Sequence, residues 1–223
     1  MIFTPSRFRF RVTAMRETVA AENRPYHHGD LRRALIDAAR RLLESEGPTA
    51  LSLRAVAREA GVSPAAPYHH FKDKGELLDA VAHEGWDMLN AQMAKSKAEA
   101  NSIQDKLTNL GVAYVRFAQT NPALYRVMYD SSRDKEMLPD HAHMENDSAY
   151  CQVRDTFVEA GADVSDTIDL ELATNAAWCA AHGMAEMIGF KQFDHLKVAL
   201  GGEEAFIRAV FQHLGIFAAG QGR

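Results

Sequence analysis

No stretch of this chain approaches the roughly 18 uninterrupted apolar residues that a membrane-crossing helix needs, so a soluble protein with no membrane partner is expected. Cysteine is scarce: Cys151 and Cys179 are the only two. That is too few for a disulfide framework and suits a reducing compartment. The opening MIFTPSRFRFRVTAMRE carries arginines but lacks the continuous apolar run and small-residue cleavage site of a secretory signal. A cytoplasmic protein with a flexible N-terminal extension is the expectation. Catalytic signatures are missing as well: there is no glycine-rich phosphate loop, no nucleophile elbow and no His-Glu-x-x-His. We therefore expect no enzyme activity, no catalytic residue and no cofactor. There is no convincing period-2 alternation, internal repeat or low-complexity tract, which leaves an all-α fold.

What is present is an ordinary globular composition, 47% hydrophobic and 25% charged over 223 residues, enough for one extended or two modest domains. The net charge of −5 conceals a division. Residues 1–73 hold 12 Lys and Arg against 8 Asp and Glu, a net +4, whereas residues 74–223 hold 13 against 22, a net −9. Such asymmetry points to a basic end that meets an anion and an acidic body that does not, with uneven surface decoration as the plain alternative.

Along the chain, Leu31, Leu35, Ala38, Ala39, Leu42 and Leu43 recur at helical spacing, with Asp30 as N-cap and Gly47 as stop. Ser52 caps a short second helix through Ala60 that buries Leu53, Val56 and Ala57. Gly61 ends it, since glycine adopts the left-handed conformation of a tight reversal without steric cost. Ser63 caps a third helix with Pro64 at its first position. Asp73 and Glu76 form a capping box that opens a long fourth helix carrying Leu77, Leu78, Val81, Met88, Leu89 and Met93. Further helices are predicted over about 103–119, from Asn121-Pro122, up to Gly161, and over about 166–188 and 203–218. A loop is predicted over Asp130–Asp147. The carboxylates Asp163, Asp166, Asp169 and Glu171 cluster at a helix start, where the helix dipole favours them.

Residues 52–71, SLRAVAREAGVSPAAPYHHF, follow the helix-turn-helix plan. Ala57 is small so the next helix can cross closely, and Val62 plugs the core between the two. The start of the second helix of the motif can then enter a major groove about 12 Å wide, where Pro64, Ala65 and Ala66 let the backbone approach.

The run LIDAARRLLESEGPTALSLRAVAREAGVSPAAPYHHFKDKGELLDAV resembles the DNA-binding domain of the TetR family of repressors along its whole length, about residues 30–80. The segment RAVAREAGVS, the aromatic cluster YHHF and a lysine three residues after the phenylalanine carry the likeness. The resemblance implies an operator-facing surface over Ser52, Arg54, Ser63, Pro64, Ala65, Ala66, Tyr68, His69, His70, Lys72 and Lys74. Within it, Tyr68, His70 and Lys74 would meet phosphates, and the start of the third helix would read bases. Pro67 departs from the family pattern, which has a branched apolar residue there, and it removes a helical hydrogen bond. Farther on, Trp178 with His182-Gly183, preceded by NPALYRVMYD, is similar to one TetR-type C-terminal domain.

Tyr114, Phe117, Tyr125, Met128, Trp178 and His182 are the candidate ligand-binding residues, with His182 as polar anchor for an apolar or aromatic small molecule. At helical spacing the same residues are equally core. His141 and His143 could ligate a metal, but a solvated loop is preferred and no metal site is assigned. His27 and His28 could touch phosphate, and Arg7, Arg9, Arg11 and Arg16, interleaved with Phe8 and Phe10, could lie in a minor groove. Met15 is an alternative start.

The sequence thus predicts a flexible extension over 1–25, a three-helix helix-turn-helix domain over 26–75 and a larger helical ligand-binding and dimerisation domain over 76–223. The function expected is that of a dimeric repressor released from double-stranded operator DNA by a small molecule. The homodimer is expected to form around Ala176, Ala177, Ala180, Phe206, Val210 and Leu214. A metal-responsive regulator, a catalytic helical protein and a ligand-independent DNA binder are the alternatives, and the −9 of residues 74–223 opposes the last.

Overall fold

Leu35, Ala38, Ala39, Leu42 and Leu43 fall three or four residues apart and are buried along one face of α1 (Leu31–Glu46). Gly47, at φ 79°, ends that helix in the left-handed region. The computed structural model describes residues 31–133, 148–163 and 165–219, and these are helical with no strand among them. Asp30, the N-terminal arm, His27, His28, His141 and His143 lie outside the described residues.

Short α2 (Leu53–Glu59) and a 3-10 turn (Ala66–His69) complete the head with α1. Then comes the long α3 (Lys74–Ala98). Its capping box forms as the spacing predicts: Asp73 Oδ1 accepts the Glu76 N–H at 3.0 Å, while Glu76 Oε2 accepts the Lys72 N–H at 2.6 Å. The remaining helices are α4 (Ile103–Thr120), α5 (Pro122–Arg133), α6 (Ala149–Glu159), α7 (Thr167–Met187), α8 (Asp194–Leu200) and α9 (Glu203–Ala219). Helix α5 extends to Arg133, into the predicted loop, whose residues 134–147 lie outside the described ones. At the start of α7, Asp166 accepts the Asp169 N–H at 3.0 Å, so a carboxylate does serve the helix start.

Two elements have no counterpart in the sequence reading: a 3-10 turn at Lys191–Phe193 and α8 itself. Seven residues are too few to establish a period, and Leu196, Val198 and Leu200 of α8 are exposed, so they show no core-facing rhythm.

Helix α4 occupies the centre of the body, packed against α3, α5, α6, α7 and α9. Two of its faces are in use. One joins the main core with Leu110, Tyr114 and Phe117, and the other meets Ile188, Phe206 and Ile207 through Val112 and Val115. Phe206 therefore corrects the expected dimer surface. It is buried within its own chain, with its ring 5.5 Å from that of Phe193, and a core residue of this kind cannot also face a partner.

Gly111 permits a close approach of α9 to α4, because a Cβ there would lie 2.7 Å from Phe211 ring carbons. Replacing Gly111 by Ala should destabilise the fold by about 1–3 kcal/mol despite alanine's better helix propensity, since Phe211 must leave its seat. Urea midpoints check this. In a Phe211→Ala background the same change should be neutral or stabilising, and equal losses in both backgrounds would show that the contact does not set the cost.

Candidate nucleic-acid interface and ligand cavity

The head's geometry follows from how α2 begins and ends. Ser52 Oγ accepts the Ala55 N–H at 3.1 Å and starts the helix. At its end, Gly61 at φ 70° lets the Val62 N–H reach Ala57 O at 2.9 Å and the Gly61 N–H reach Arg58 O at 3.2 Å. This is the paired closure that turns a chain sharply after a helix. Val62 is half-buried against the core, as expected of a plug.

The third helix differs from its prediction. In place of an α-helix capped by Ser63, the chain forms a 3-10 turn whose cap is Ala65, with no side-chain cap bond. Its bonds run three residues back: Ala66 N–H to Ser63 O, Tyr68 N–H to Ala65 O and His70 N–H to Pro67 O, at 3.0, 3.2 and 2.9 Å. Pro67 explains the change, because it has no N–H for an α-type ladder and its ring is buried in the head. Ser52, Arg54, Ser63, Pro64, Ala65, Tyr68, His69, Lys72 and Lys74 are exposed, whereas Ala66 and His70 are half-buried. Tyr68 is 55% exposed although its neighbour Pro67 is buried, so the turn holds the phenol outward. The Lys74 ammonium donates to Pro48 O at 3.0 Å, a weak surface tether for a flexible side chain. Beneath this surface, the Arg32 guanidinium sits 5.4 Å over the Phe71 ring and braces α1 against the turn.

The body contains an apolar cavity of about 280 Å³ between α3, α4, α6, α7 and α9. Met93, Leu107, Leu110, Gly111, Tyr114, Val153, Phe157, Trp178, Phe211 and Leu214 line it, together with Ala173, Ala176, Ala177, Ala180 and Ala181 of α7. Of the six predicted ligand residues, the structure brings only Tyr114 and Trp178 to this wall. Phe117 and Met128 are buried core, with Met128 filling the space beside Gly85. The missed lining left a trace in the sequence, the run of small residues along α7, since alanine leaves volume where a larger side chain would fill it.

Tyr125 and His182 belong to an adjoining polar cluster. The Tyr125 hydroxyl is 2.6 Å from His182 Nδ1, the Tyr114 hydroxyl is 3.1 Å from the same nitrogen, and Tyr114 also hydrogen-bonds Tyr129. His182 is thus engaged by two phenols and is not a free anchor inside the cavity. Tyr129 was not among the predicted site residues, although NPALYRVMYD contained it. Trp178 joins the two regions: it lines the cavity, meets Tyr114 edge-on at 5.1 Å and stacks on Trp86 of α3 at 6.3 Å. Among the described residues no group of three or more His, Cys, Asp or Glu could hold a metal ion, and no helix is long and apolar enough to cross a membrane.

Burial, foremost, pushes the Tyr125 phenol up to about 12 and raises Tyr114 and Tyr129 as well. The unfolded chain releases these protons near about 10 and the folded one holds them. The cluster's contribution to stability is therefore intact below that pH and is lost as pH rises from there through about 12 for Tyr125. Urea midpoints measured from about pH 8 to about pH 12 should fall across about the upper two units, less steeply for Tyr125→Phe. An identical slope would show that this phenol ionises without unfolding the body.

Two family models match the chain: one described as bacterial regulatory proteins, tetR family, over residues 35–81, and one described as tetracyclin repressor-like, C-terminal domain, over residues 107–212. A curated relative, the uncharacterized HTH-type transcriptional regulator YobS of Bacillus subtilis (strain 168), is 26% identical over 166 residues, 74% of this chain and 83% of that protein. A solved structure of a protein with unknown function from Rhodococcus sp. RHA1 is 31% identical, covers 85% of this chain and 97% of its own, and gives a TM-score of 0.65. The TetR family transcriptional regulator PfmR from Thermus thermophilus shares the fold at 22% identity, with 79% of this chain and 94% of its own covered and a TM-score of 0.54.

Proposed function

Since the chain belongs to the TetR family of DNA-binding transcriptional regulators, we propose that it works as a dimeric repressor which leaves its operator when a small molecule occupies the body cavity. It acts in the cytoplasm and catalyses no reaction. The observation that carries this reading is the course of α3, from the Asp73 cap beside the exposed turn to Met93 in the cavity wall. On this reading residues 26–75 bind double-stranded DNA, and residues 76–223 dimerise and sense.

In the head, Tyr68, His70 and Lys74 hold phosphates while Ser63 to Ala66 meet base edges, with Ser52, Arg54, His69 and Lys72 on the rim of the contact. The +4 of residues 1–73 favours that encounter, and the −9 of residues 74–223 keeps the body off DNA. Lys74 exchanges Pro48 O for a phosphate oxygen, a charge-assisted and stronger partner.

The dimer forms on α7 and α9 through a face that differs in part from the one first expected. Ile168, Leu172, Met187 and Phe190 are exposed apolar residues along α7 and just beyond it, with Ala176 and Cys179 between them at helical spacing, and Leu214 of α9 is exposed as well. Ile168 is 71% exposed, more than an isolated apolar helix position needs, and small Ala176 and Gly183 would let a second copy of α7 approach. Ala177 and Ala180 face the cavity instead.

In such a dimer the two heads must sit about 34 Å apart to reach successive major grooves. Arg33 and Glu84, paired at 2.6 Å, tie α1 to α3, so displacement of α3 at the cavity tilts the head and spoils that spacing. Binding must be reciprocal: a ligand that weakens operator binding itself binds less tightly when operator is present.

Lys74→Ala should weaken binding to all DNA sequences alike and lower the salt slope by about one unit, whereas changes at Ser63 to Ala66 should alter operator preference. Gel-shift titrations at several salt concentrations read both, and an unchanged slope for Lys74→Ala would remove it from the phosphate set. Light scattering should find a dimer at micromolar concentration and a monomer for Ile168→Glu with Leu172→Glu. A wild-type monomer would rule out the α7 face as described.

A further inference from the structure

We infer that the cavity takes an uncharged hydrocarbon of about bicyclic-arene size and rejects carboxylates and amines; this rests on the sensory reading above and adds the chemistry of the ligand. The walls decide the class. Of the side chains that line it, only Met93, Tyr114 and Trp178 carry a heteroatom. The Tyr114 hydroxyl is already taken by Tyr125, Tyr129 and His182, which leaves the uncharged Trp178 indole N–H as the one side-chain donor on the wall. A ligand therefore meets carbon, a thioether, aromatic faces and that one neutral donor.

No charge is available to receive an ionised group. No charged side chain is among those that line the cavity, and Arg208 is held by Asn109 and Glu204, Lys97 and Lys106 by Glu159, and Arg154 by Asp155. Tyr114, the one titratable wall residue, is kept neutral by its burial. The rim residues Ala176 and Leu214 lie on the surface assigned above to a second copy, so in the dimer the mouth is covered and a charged end cannot reach water. An unpaired ion in such a site costs far more than apolar contact returns. As for size, an apolar cavity of about 150 Å³ holds benzene, and the volume here is about 280 Å³. A fused pair of aromatic rings, able to lie against Trp178 and Phe211, matches that volume.

The protein supplies its own reporter, because Trp86 and Trp178 are its only two tryptophans and they stack on one another at the cavity wall. The experiment titrates the full-length protein with naphthalene, 2-naphthoate and protonated 2-(aminomethyl)naphthalene, reading tryptophan emission, and repeats it with Ala177→Phe and Ala173→Phe, which fill the space. Saturable binding of naphthalene is expected, with either ion at least about 100-fold weaker and naphthalene binding lost in whichever filled variant keeps the wild-type helical circular dichroism. Naphthoate or the ammonium binding as tightly as naphthalene would overturn the inference. So would an absence of naphthalene binding, as when side chains of the second copy fill the cavity, or binding that persists in both filled variants. A parallel operator gel shift separates the two readings: saturable naphthalene binding with operator affinity unchanged would support the hydrocarbon class and count against the sensory role.

Discussion

Helix α3 is the constraint on which the rest depends. Its 25 residues span about 37 Å at about 1.5 Å per residue. Asp73 and Glu76 fix its start against the DNA-facing turn, and Leu89 and Met93 bury its far half in the body. No proline interrupts it, so bending would break backbone bonds that nothing else can replace. Where α1 crosses it, Arg33 meets Glu84, whose second carboxylate oxygen is buried without a hydrogen-bond partner. A buried carboxylate with half its acceptor capacity unmet makes the joint sensitive to small shifts, because the single ion pair there offsets its desolvation.

The body sets an apolar void beside a saturated polar cluster, and the two serve opposite ends. Three phenols and an imidazole satisfy one another out of water, which holds α4, α5 and α7 in one arrangement. The adjoining void forfeits dispersion contacts that larger side chains would make. Five alanines on one wall keep the void open, because each leaves volume that a larger side chain would fill. Trp178 touches both regions and also Trp86 of α3, so the wall that a ligand would press is in contact with the helix that would move.

The head solves a separate problem, that of presenting backbone to DNA. Pro67 cannot continue an α-type ladder, and the chain compensates with a 3-10 turn whose buried proline ring anchors it in the core. Tyr68 and His69 are thereby turned outward on a base that the buried ring holds in place.

By itself the sequence determined the helical class, the caps at Ser52 and Asp73, the Gly61 reversal and the family of the head, because each depends on residues within a few positions of one another. It did not determine which aromatics face a cavity. Phe117 and Tyr114 sit three residues apart on α4, yet one is sealed in the core and the other reaches the void, a difference of rotation that only the packing of α7 and α9 on α4 settles. The 3-10 form of the turn lay between: Pro67 announced a lost bond, but whether the chain kinks, tightens or unwinds in answer depends on the space beneath it. Likewise His182 looked like an anchor in sequence and became a partner of Tyr125 in space, 57 residues away. Local bonds are written in local sequence, whereas burial, cavities and long-range partners arise from how separate helices fill the volume between them.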